Sequence, residues 1–222
     1  MKKTSKKIKI LEPKDFVNEY LMELTRCIAT LDKAKIALVI DVLVEAYKNE
    51  RKVFIFGNGG SASAASHMAC DLSKGTLQRI YDNTERRFRV ISLNDNVALM
   101  TALANDLGYE DIFVQQLRNL VETDDVVIAL SGSGNSPNIV KALEYAKECG
   151  AKTVGILGFR KGGKAGEIVD YAIIADSDYY GPIEDMQSIL NHLIAAWLSR
   201  VKDFHDGRKK IKSENKAMPF HE

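Results

Sequence analysis

The chain has 222 residues, of which 45% are hydrophobic and 27% charged, values typical of one globular domain with a full-sized core. The formal net charge is +1, so there is no overall field of the kind that marks nucleic-acid-binding or membrane-surface proteins. We therefore expect neither nucleic acid nor a membrane among the partners. A ligand must be recognised by a local site.

The cysteines and the amino terminus indicate the compartment. Cys27, Cys70 and Cys149 are an odd number without paired spacing, which favours reduced thiols. The first residues are basic but lack the apolar run of a signal peptide, and no stretch of about 18 apolar residues occurs in the sequence. We expect a cytoplasmic protein.

The order of helical and extended patterns predicts an α/β fold. Helical spacing of apolar residues from Pro13 to Lys48, with a break near residues 30–32, predicts a helical hairpin ahead of the sheet. Apolar runs with the length of buried parallel strands follow at 53–56, 88–93, 126–130, 153–157 and 171–175. Helical patterns fall at 63–72, 97–103, 112–120, 137–149 and 183–201, with a short turn near 165–169.

This alternation predicts a three-layer sandwich, in which a five-stranded parallel sheet of flavodoxin-like type has helices on both faces. We expect a basic leader at 1–12, a single domain at 13–201 and a polar tail at 202–222. The amino-terminal hairpin has apolar surface that a neighbouring subunit could bury, so we also expect a homo-oligomer.

Two turns rich in glycine and serine are the main functional signal. Gly57–Ser61 and Ser131–Ser136 each follow a predicted buried strand and precede a helix. Glycine lets the backbone approach a ligand, serine donates a hydrogen bond without adding charge, and a helix amino terminus favours an anion. Such a pair of turns suits a phosphate monoester.

Neither turn matches a nucleotide-binding motif. A mononucleotide loop needs a lysine after its last glycine, and neither turn contains one. A dinucleotide fingerprint needs a third glycine where this chain has Pro137. The patterns leave a sugar phosphate or a similar small monoester as the ligand.

Titratable side chains lie on two of the predicted helices. His67 and Asp71 are four residues apart and share a helix face, as proton-transfer partners or metal ligands would. Glu184 and His192 lie two turns apart in a polar stripe of the last helix. Either pair could instead be a set of polar residues that simply face solvent.

The stretch from Gly75 to Arg87 is long for a helix-to-strand connection and is rich in arginine. Its arginines could cover a phosphorylated ligand or contact another subunit, and a solvated loop is an equal alternative.

Four motifs, taken together, resemble the sugar isomerase (SIS) domain family. They are GNGGSASAASHMACDL, SLNDN with ALANDLGYEDIF, LSGSGNSPNIVKAL and GPIEDMQSILNHLI. The resemblance runs from about Phe16 to Val201, and the branch that it matches best is that of the phosphoheptose isomerases. It implies an aldose–ketose isomerase of sedoheptulose 7-phosphate that serves surface-glycan or lipopolysaccharide synthesis. It also implies a tetramer with sites at subunit interfaces.

The resemblance assigns roles to individual residues. It implies that the phosphate is held by Ser61, Ser131, Ser133 and Ser136, and that the rest of the substrate is bound by Asn58, Gly59, Asp95 and Glu184. It implies Asp71 as general base, His192 as acid, and Zn²⁺ held by His67, Asp71, Glu184 and His192.

This chain departs from the family pattern at several of these positions. Asp71 stands where the family has a glutamate, Glu184 where it commonly has glutamine, and Gly132 where it has a threonine. Two alternatives therefore stay open. One is an isomerase of another phosphosugar, and the other is a non-catalytic SIS protein that binds a sugar phosphate as a replication-initiator adaptor or a sensor.

Overall fold

The structure is a computed structural model that describes residues 11–205. The first ten residues of the basic leader and the tail from residue 206 lie outside the described residues. Between these limits, no helix is both long enough and apolar enough to cross a bilayer.

Five strands form one parallel sheet, as the apolar runs predict. They are β1 (Lys52–Gly57), β2 (Arg89–Ser92), β3 (Val126–Ser131), β4 (Lys152–Leu157) and β5 (Tyr171–Ile174). The strand order is β2-β1-β3-β4-β5, which is the flavodoxin-like order. Each predicted strand agrees with the observed one to within one residue at either end, and the predicted fold class is confirmed.

Eight α-helices accompany the sheet in the described part of the chain. They are α1 (Pro13–Thr30), α2 (Lys33–Lys48), α3 (Gly60–Cys70), α4 (Val97–Asp106), α5 (Val114–Leu120), α6 (Pro137–Glu148), α7 (Gly163–Ile168) and α8 (Tyr180–His205). α1 and α2 are the two helices expected ahead of the sheet, with the break at residues 31 and 32. They do not pack against each other as the predicted hairpin, because α1 lies against α8 whereas α2 lies against β5 and α8. Asp32 caps α2 by accepting hydrogen bonds from the backbone N–H groups of Ala34 and Lys35.

Two helices begin three residues earlier than predicted. α3 starts at Gly60 because Gly59, at a φ of 57°, turns the chain directly from the strand into the helix. α8 starts at Tyr180 because Pro182 lies in its first turn, where a missing N–H costs no hydrogen bond. α3 also continues without a break into a π-helical turn, Asp71–Gly75, which the sequence pattern did not predict.

Alternate strand residues face two separate cores. Val53 and Ile55 of β1 pack with residues of α2, α3 and α8, whereas Phe54 and Phe56 pack with residues of α5, α6 and α7. β3 shows the same alternation, so the sheet is covered on both faces. The three central strands β1, β3 and β4 are buried except at Lys52 and Lys152, which explains their nearly continuous apolar sequence, whereas the edge strands β2 and β5 are partly exposed.

α1 is held to the rest of the domain by a small apolar cluster, in which Cys27 packs with Ile183 and Met186, and by polar contacts. The Tyr20 hydroxyl donates to Asp185 of α8 at 2.6 Å, and this hydrogen bond raises the pKa of Tyr20 to about 12. Arg26 pairs with Asp176, also at 2.6 Å. Several large apolar side chains of α1 stay exposed: Phe16, Val17, Leu21, Met22 and Ile28.

A buried ion pair fastens the long connection after α3 to the end of α8. Lys202 Nζ lies 2.9 Å from Glu85 Oε1, and the two side chains are 2% and 1% exposed. Burial by itself raises the pKa of Glu85. The backbone N–H of Gln78, the Lys202 ammonium and the backbone N–H of Arg79 outweigh burial and lower the pKa from 4.5 to about 2.

We predict that Glu85→Gln lowers the free energy of unfolding at neutral pH by about 3 kcal/mol, because it leaves the Lys202 ammonium buried without its counter-charge. Since the folded-state pKa of Glu85 is depressed, its contribution is complete above pH 4.5 and is lost as the pH falls towards 2. Urea unfolding between pH 7 and pH 3 measures both effects.

The stability of the Glu85→Gln variant should therefore depend less steeply on acid pH than that of the wild type. The control is Glu122→Gln, the same change at a side chain that is 68% exposed. Parallel pH curves for wild type and Glu85→Gln would show that this carboxylate does not contribute as described.

Candidate active site

The two glycine-rich turns lie side by side because β1 and β3 are neighbours in the sheet. The strands are parallel, with Gly57 opposite Leu130, so both turns leave the same edge. The chain passes from β1 to β2 on one side and from β3 to β4 on the other. This is the topological switch point of a doubly wound sheet, where such folds bind ligands.

The first turn is fixed by side-chain amides. Asn94 accepts a hydrogen bond from the N–H of Gly57 at 3.1 Å and donates to its carbonyl at 2.9 Å. Asn58 exchanges two 2.9 Å hydrogen bonds with Asn138 on α6, and its Oδ1 also accepts the Tyr109 hydroxyl. Each such bond contributes about 0.5–1.5 kcal/mol. The two turns are therefore joined through Asn58 and Asn138.

A cleft of 440 Å³ opens beside this amide pair. Asn58 and Ser136, one from each turn, line it together with Tyr109 and Pro137. Two of the predicted substrate-binding residues thus share one cavity, although the amide of Asn58 is engaged by Asn138.

The second turn carries three serines, of which Ser131 is buried and Ser133 and Ser136 are half-buried. Ser131 Oγ accepts the backbone N–H of Gly134 at 3.0 Å, and Ser133 Oγ accepts that of Asn135 at 3.3 Å. Ser136 precedes α6 without using its hydroxyl as a helix cap. An accepting hydroxyl still has its own proton to donate, so Ser131 and Ser133 retain donors for an anion.

The amino terminus of α3 is already close to a carboxylate. A Cβ added to Gly60 would collide with the carboxylate of Glu184, which places Glu184 directly against the first turn of this helix. Ser61, next along the chain, is 4% exposed. Because a carboxylate repels a phosphate, the second turn offers the better phosphate site.

Three side chains converge on one oxygen of Asp71. His67 Nε2 lies 3.3 Å from Asp71 Oδ2, and His192 Nε2 lies 3.7 Å from the same atom. The Asn191 amide donates to it at 2.8 Å. His67, Asp71 and His192 can offer ligand atoms that all lie within 4.8 Å of one another. Glu184 lies outside this group of three.

α8 carries two buried amides beside this cluster. Gln187 and Asn191 are each 1% exposed. Neither amide atom of Gln187 has a hydrogen-bond partner, nor has Oδ1 of Asn191. The side-chain NH₂ group of Asn191 thus donates a hydrogen bond to Asp71, whereas its side-chain oxygen has no partner.

Asp95 lies at the same edge of the sheet, beyond β2. It is exposed, and its Oδ1 accepts the hydroxyls of Ser66 and Ser92 at 2.5 and 3.0 Å. Ser66 directly precedes His67, so Asp95 lies beside the helix that carries the cluster.

The sequence of residues 15–158 matches the SIS domain family model. The chain is also 38% identical over 161 residues to the phosphoheptose isomerase of Helicobacter pylori, a match that covers 72% of this chain and 81% of the relative. The chain belongs to the SIS domain family. Within it, the chain belongs with the phosphoheptose isomerases, as the motifs indicated.

Solved structures show the breadth of the SIS fold. The phosphoheptose isomerase of Neisseria gonorrhoeae superposes with a TM-score of 0.77 at 23% identity, covering 86% of this chain and 100% of that one. The sugar isomerase domain of an RpiR transcription factor from Sphaerobacter thermophilus has a TM-score of 0.60 at 18% identity, covering 87% of this chain and 92% of that one. Enzymes and regulators share this fold, so the side chains at the site must decide the function.

The structure gathers most of the residues singled out from the SIS motifs. It brings His67, Asp71 and His192 together, and it sets the two turns next to each other. Glu184, which the motifs placed with the metal ligands, lies against Gly60 and outside the cluster. In the loop after α3, Arg86 lies over Tyr47 and 3.3 Å from Glu50, at the opposite edge of the sheet from the turns.

The motifs did not single out several residues that shape the site. Asn138 and Tyr109 fix Asn58, and Asn191 contacts Asp71. Asn191 was visible in sequence as part of the polar stripe of α8, but its partner was not.

Proposed function

We propose that the protein is an aldose–ketose isomerase of a phosphosugar and converts sedoheptulose 7-phosphate to a heptose 7-phosphate in the cytoplasm, for lipopolysaccharide or other surface-glycan synthesis. The observation that carries this proposal is the convergence of His67, His192 and Asn191 on the Asp71 carboxylate, beside the paired turns. A carboxylate and imidazoles at one point can move a proton.

The substrate is anchored by its phosphate and reacts at its other end. We assign the phosphate to Ser131, Ser133 and Ser136 of the second turn, with Ser61 from the first. Asn58, Gly59, Asp95 and Glu184 contact the rest of the substrate. Anchoring far from the reacting carbons makes proton transfer effectively intramolecular.

Aldose–ketose isomerisation moves a proton between neighbouring carbons through an ene-diolate. We assign Asp71 as the base that removes this proton and His192 as the acid that protonates the oxygen. Asn191 holds Asp71 Oδ2 at 2.8 Å. An aspartate is one methylene shorter than the family's glutamate. The hydrogen bond from Asn191 helps to fix the position of its carboxylate.

The donor set of the cluster fits zinc. Tetrahedral zinc ligands at about 2.1 Å lie about 3.4 Å apart, and the two histidine nitrogens lie 3.3 and 3.7 Å from Asp71 Oδ2. We propose that His67, Asp71 and His192 hold Zn²⁺, with Glu184 as a fourth ligand after a side-chain rotation away from Gly60. An oxygen or nitrogen that binds zinc cannot exchange a proton at the same time, so proton transfer at Asp71 and His192 would use the oxygen and the ring nitrogen that do not bind the metal. Bound zinc would supply Lewis-acid stabilisation of the oxyanion.

We further propose that the protein is a homotetramer with sites at subunit interfaces. The apolar side chains on the outer face of α1 support this proposal, since Phe16, Leu21 and Met22 are 57%, 55% and 72% exposed. A second copy of the chain would cover them.

The alternatives are a sensor or adaptor without catalysis and an isomerase of another phosphosugar. The clustered carboxylate and imidazoles favour an enzyme over a binding module. The aspartate at residue 71 and the glutamate at residue 184 favour testing other phosphosugars beside sedoheptulose 7-phosphate.

We predict that the wild type isomerises at least one ketose phosphate in a screen of C5 to C7 sugars. Asp71→Asn should lower its turnover about 10²- to 10⁴-fold, because an amide cannot accept the proton. Calorimetry should show that substrate binding is retained. Asp41→Asn, the same change on the exposed face of α2, is the control. Comparable turnover in Asp71→Asn would remove Asp71 from the mechanism.

Metal content tests the cluster separately. We predict about one zinc per chain in the purified protein, and a loss of turnover of more than about tenfold after chelation that added Zn²⁺ reverses. His67→Ala should lose the metal, as measured by elemental analysis. Metal-free protein with full turnover after chelation would show that zinc has no part.

We predict that Asn191→Leu lowers kcat about 10- to 100-fold with little change in KM, because Asp71 loses the donor that fixes it. Thermal unfolding should show no loss of stability, since the substitution also removes an unpaired buried oxygen. Gln187→Leu removes a buried amide of α8 for which no contact with Asp71 is seen, and should leave kcat unchanged. Equal effects of both variants on kcat would argue against a positioning role.

A further inference from the structure

Gly132, the second residue of the serine-rich turn, has its side-chain space filled by another residue. A Cβ built on Gly132 would lie 2.8 Å from Cε1 of Tyr180 and 3.0 Å from Cδ1. Gly132 is not among the glycines with positive φ, whereas Gly134 has a φ of 62°. The φ angle at residue 132 is therefore not what requires glycine, and it is the ring of Tyr180 that occupies the space of a side chain there.

The ring of Tyr180 is held in this position by its contact with Phe159. Phe159 meets it edge to face, with ring centroids 5.0 Å apart and planes at 86°. Phe159 and Arg160 have φ values of 49° and 61°, a left-handed conformation that non-glycine residues rarely adopt. Arg160 also pairs with Asp178, close before Tyr180, at 2.7 Å. A strained turn thus supports the Tyr180 ring.

Tyr180 also lies on the face of α8 that carries Glu184, which contacts the first turn of α3 at Gly60. It is one helical turn before Glu184, and residues four apart share a helix face. Its side chain is 59% exposed, so part of the ring is open to a ligand. The ring stands between the serine-rich turn and the polar stripe of α8.

We propose that Tyr180 is a specificity-determining residue that forms a wall of the phosphate pocket. The ring takes the place of a side chain at residue 132 and contacts the monophosphate ester of an open-chain sugar next to its phosphate. This inference rests on the proposed function for its ligand class. It assigns to α8 a substrate contact at the phosphate end, in addition to Glu184 and His192 at the reacting end.

A double-mutant cycle at residues 132 and 180 tests the proposal. Tyr180→Ala should weaken the binding of sedoheptulose 7-phosphate by about tenfold or more, because an apolar wall is lost. Gly132→Thr should also weaken it, because the new Cβ collides with the ring. In the double variant the collision is absent, so this variant should bind sedoheptulose 7-phosphate more tightly than Gly132→Thr does. Titration calorimetry with sedoheptulose 7-phosphate and with inorganic phosphate measures each step.

Tyr179→Ala is the matched control, since Tyr179 is the neighbouring tyrosine, is 68% exposed and should leave affinity unchanged. Thermal unfolding confirms that each variant is folded. Wild-type affinity in Tyr180→Ala, or a double variant no better than Gly132→Thr, would overturn the proposal.

Binding also separates this proposal from the isomerase function. If the wild type binds the sugar phosphate without converting it, and Tyr180→Ala abolishes this binding, the result supports the role of Tyr180 and contradicts the isomerase function. A wild type that binds neither probe contradicts both.

Discussion

The pairing of β1 with β3 in the middle of the sheet is the constraint on which the rest of the site depends. β3 is buried along its whole length and β1 is buried except at Lys52, so neither can shift register without exposing or misplacing its apolar residues. The glycine-rich turns that follow them are therefore held side by side, although 69 residues, 62–130, lie between them in sequence. The Asn58–Asn138 amide pair then joins the turns directly.

The long helix α8 supplies what the strands cannot. Its apolar residues pack into the core beneath α3, while its polar stripe brings Glu184, Asn191 and His192 to the start and end of that helix. The two turns differ in the charge beside them. Glu184 already lies at the amino terminus of α3, so a phosphate is better placed on the uncharged serines after β3.

The strands were predictable because fully buried parallel strands are continuous apolar runs bounded by polar turns. His67 and Asp71 were predictable as a pair because helical spacing puts residues four apart on one face. Contacts between distant elements were not predictable from local pattern. The ring of Tyr180 over Gly132, the amide of Asn191 on Asp71 and the π-helical turn at Asp71 all depend on how helices pack, and no local rule of periodicity or capping encodes them.

The buried Glu85–Lys202 pair, together with Gln78 bonded to Ser199, ties the segment that begins at Asp71 to α8 a second time. Asn191 makes the first tie, at Asp71 itself. The segment and the helix are thus linked at both ends and should open and close as a single cooperative unit during local unfolding. A fluctuation that frees one from the other would separate Asp71 from His192, so the protein cannot loosen this region and keep a partly assembled site.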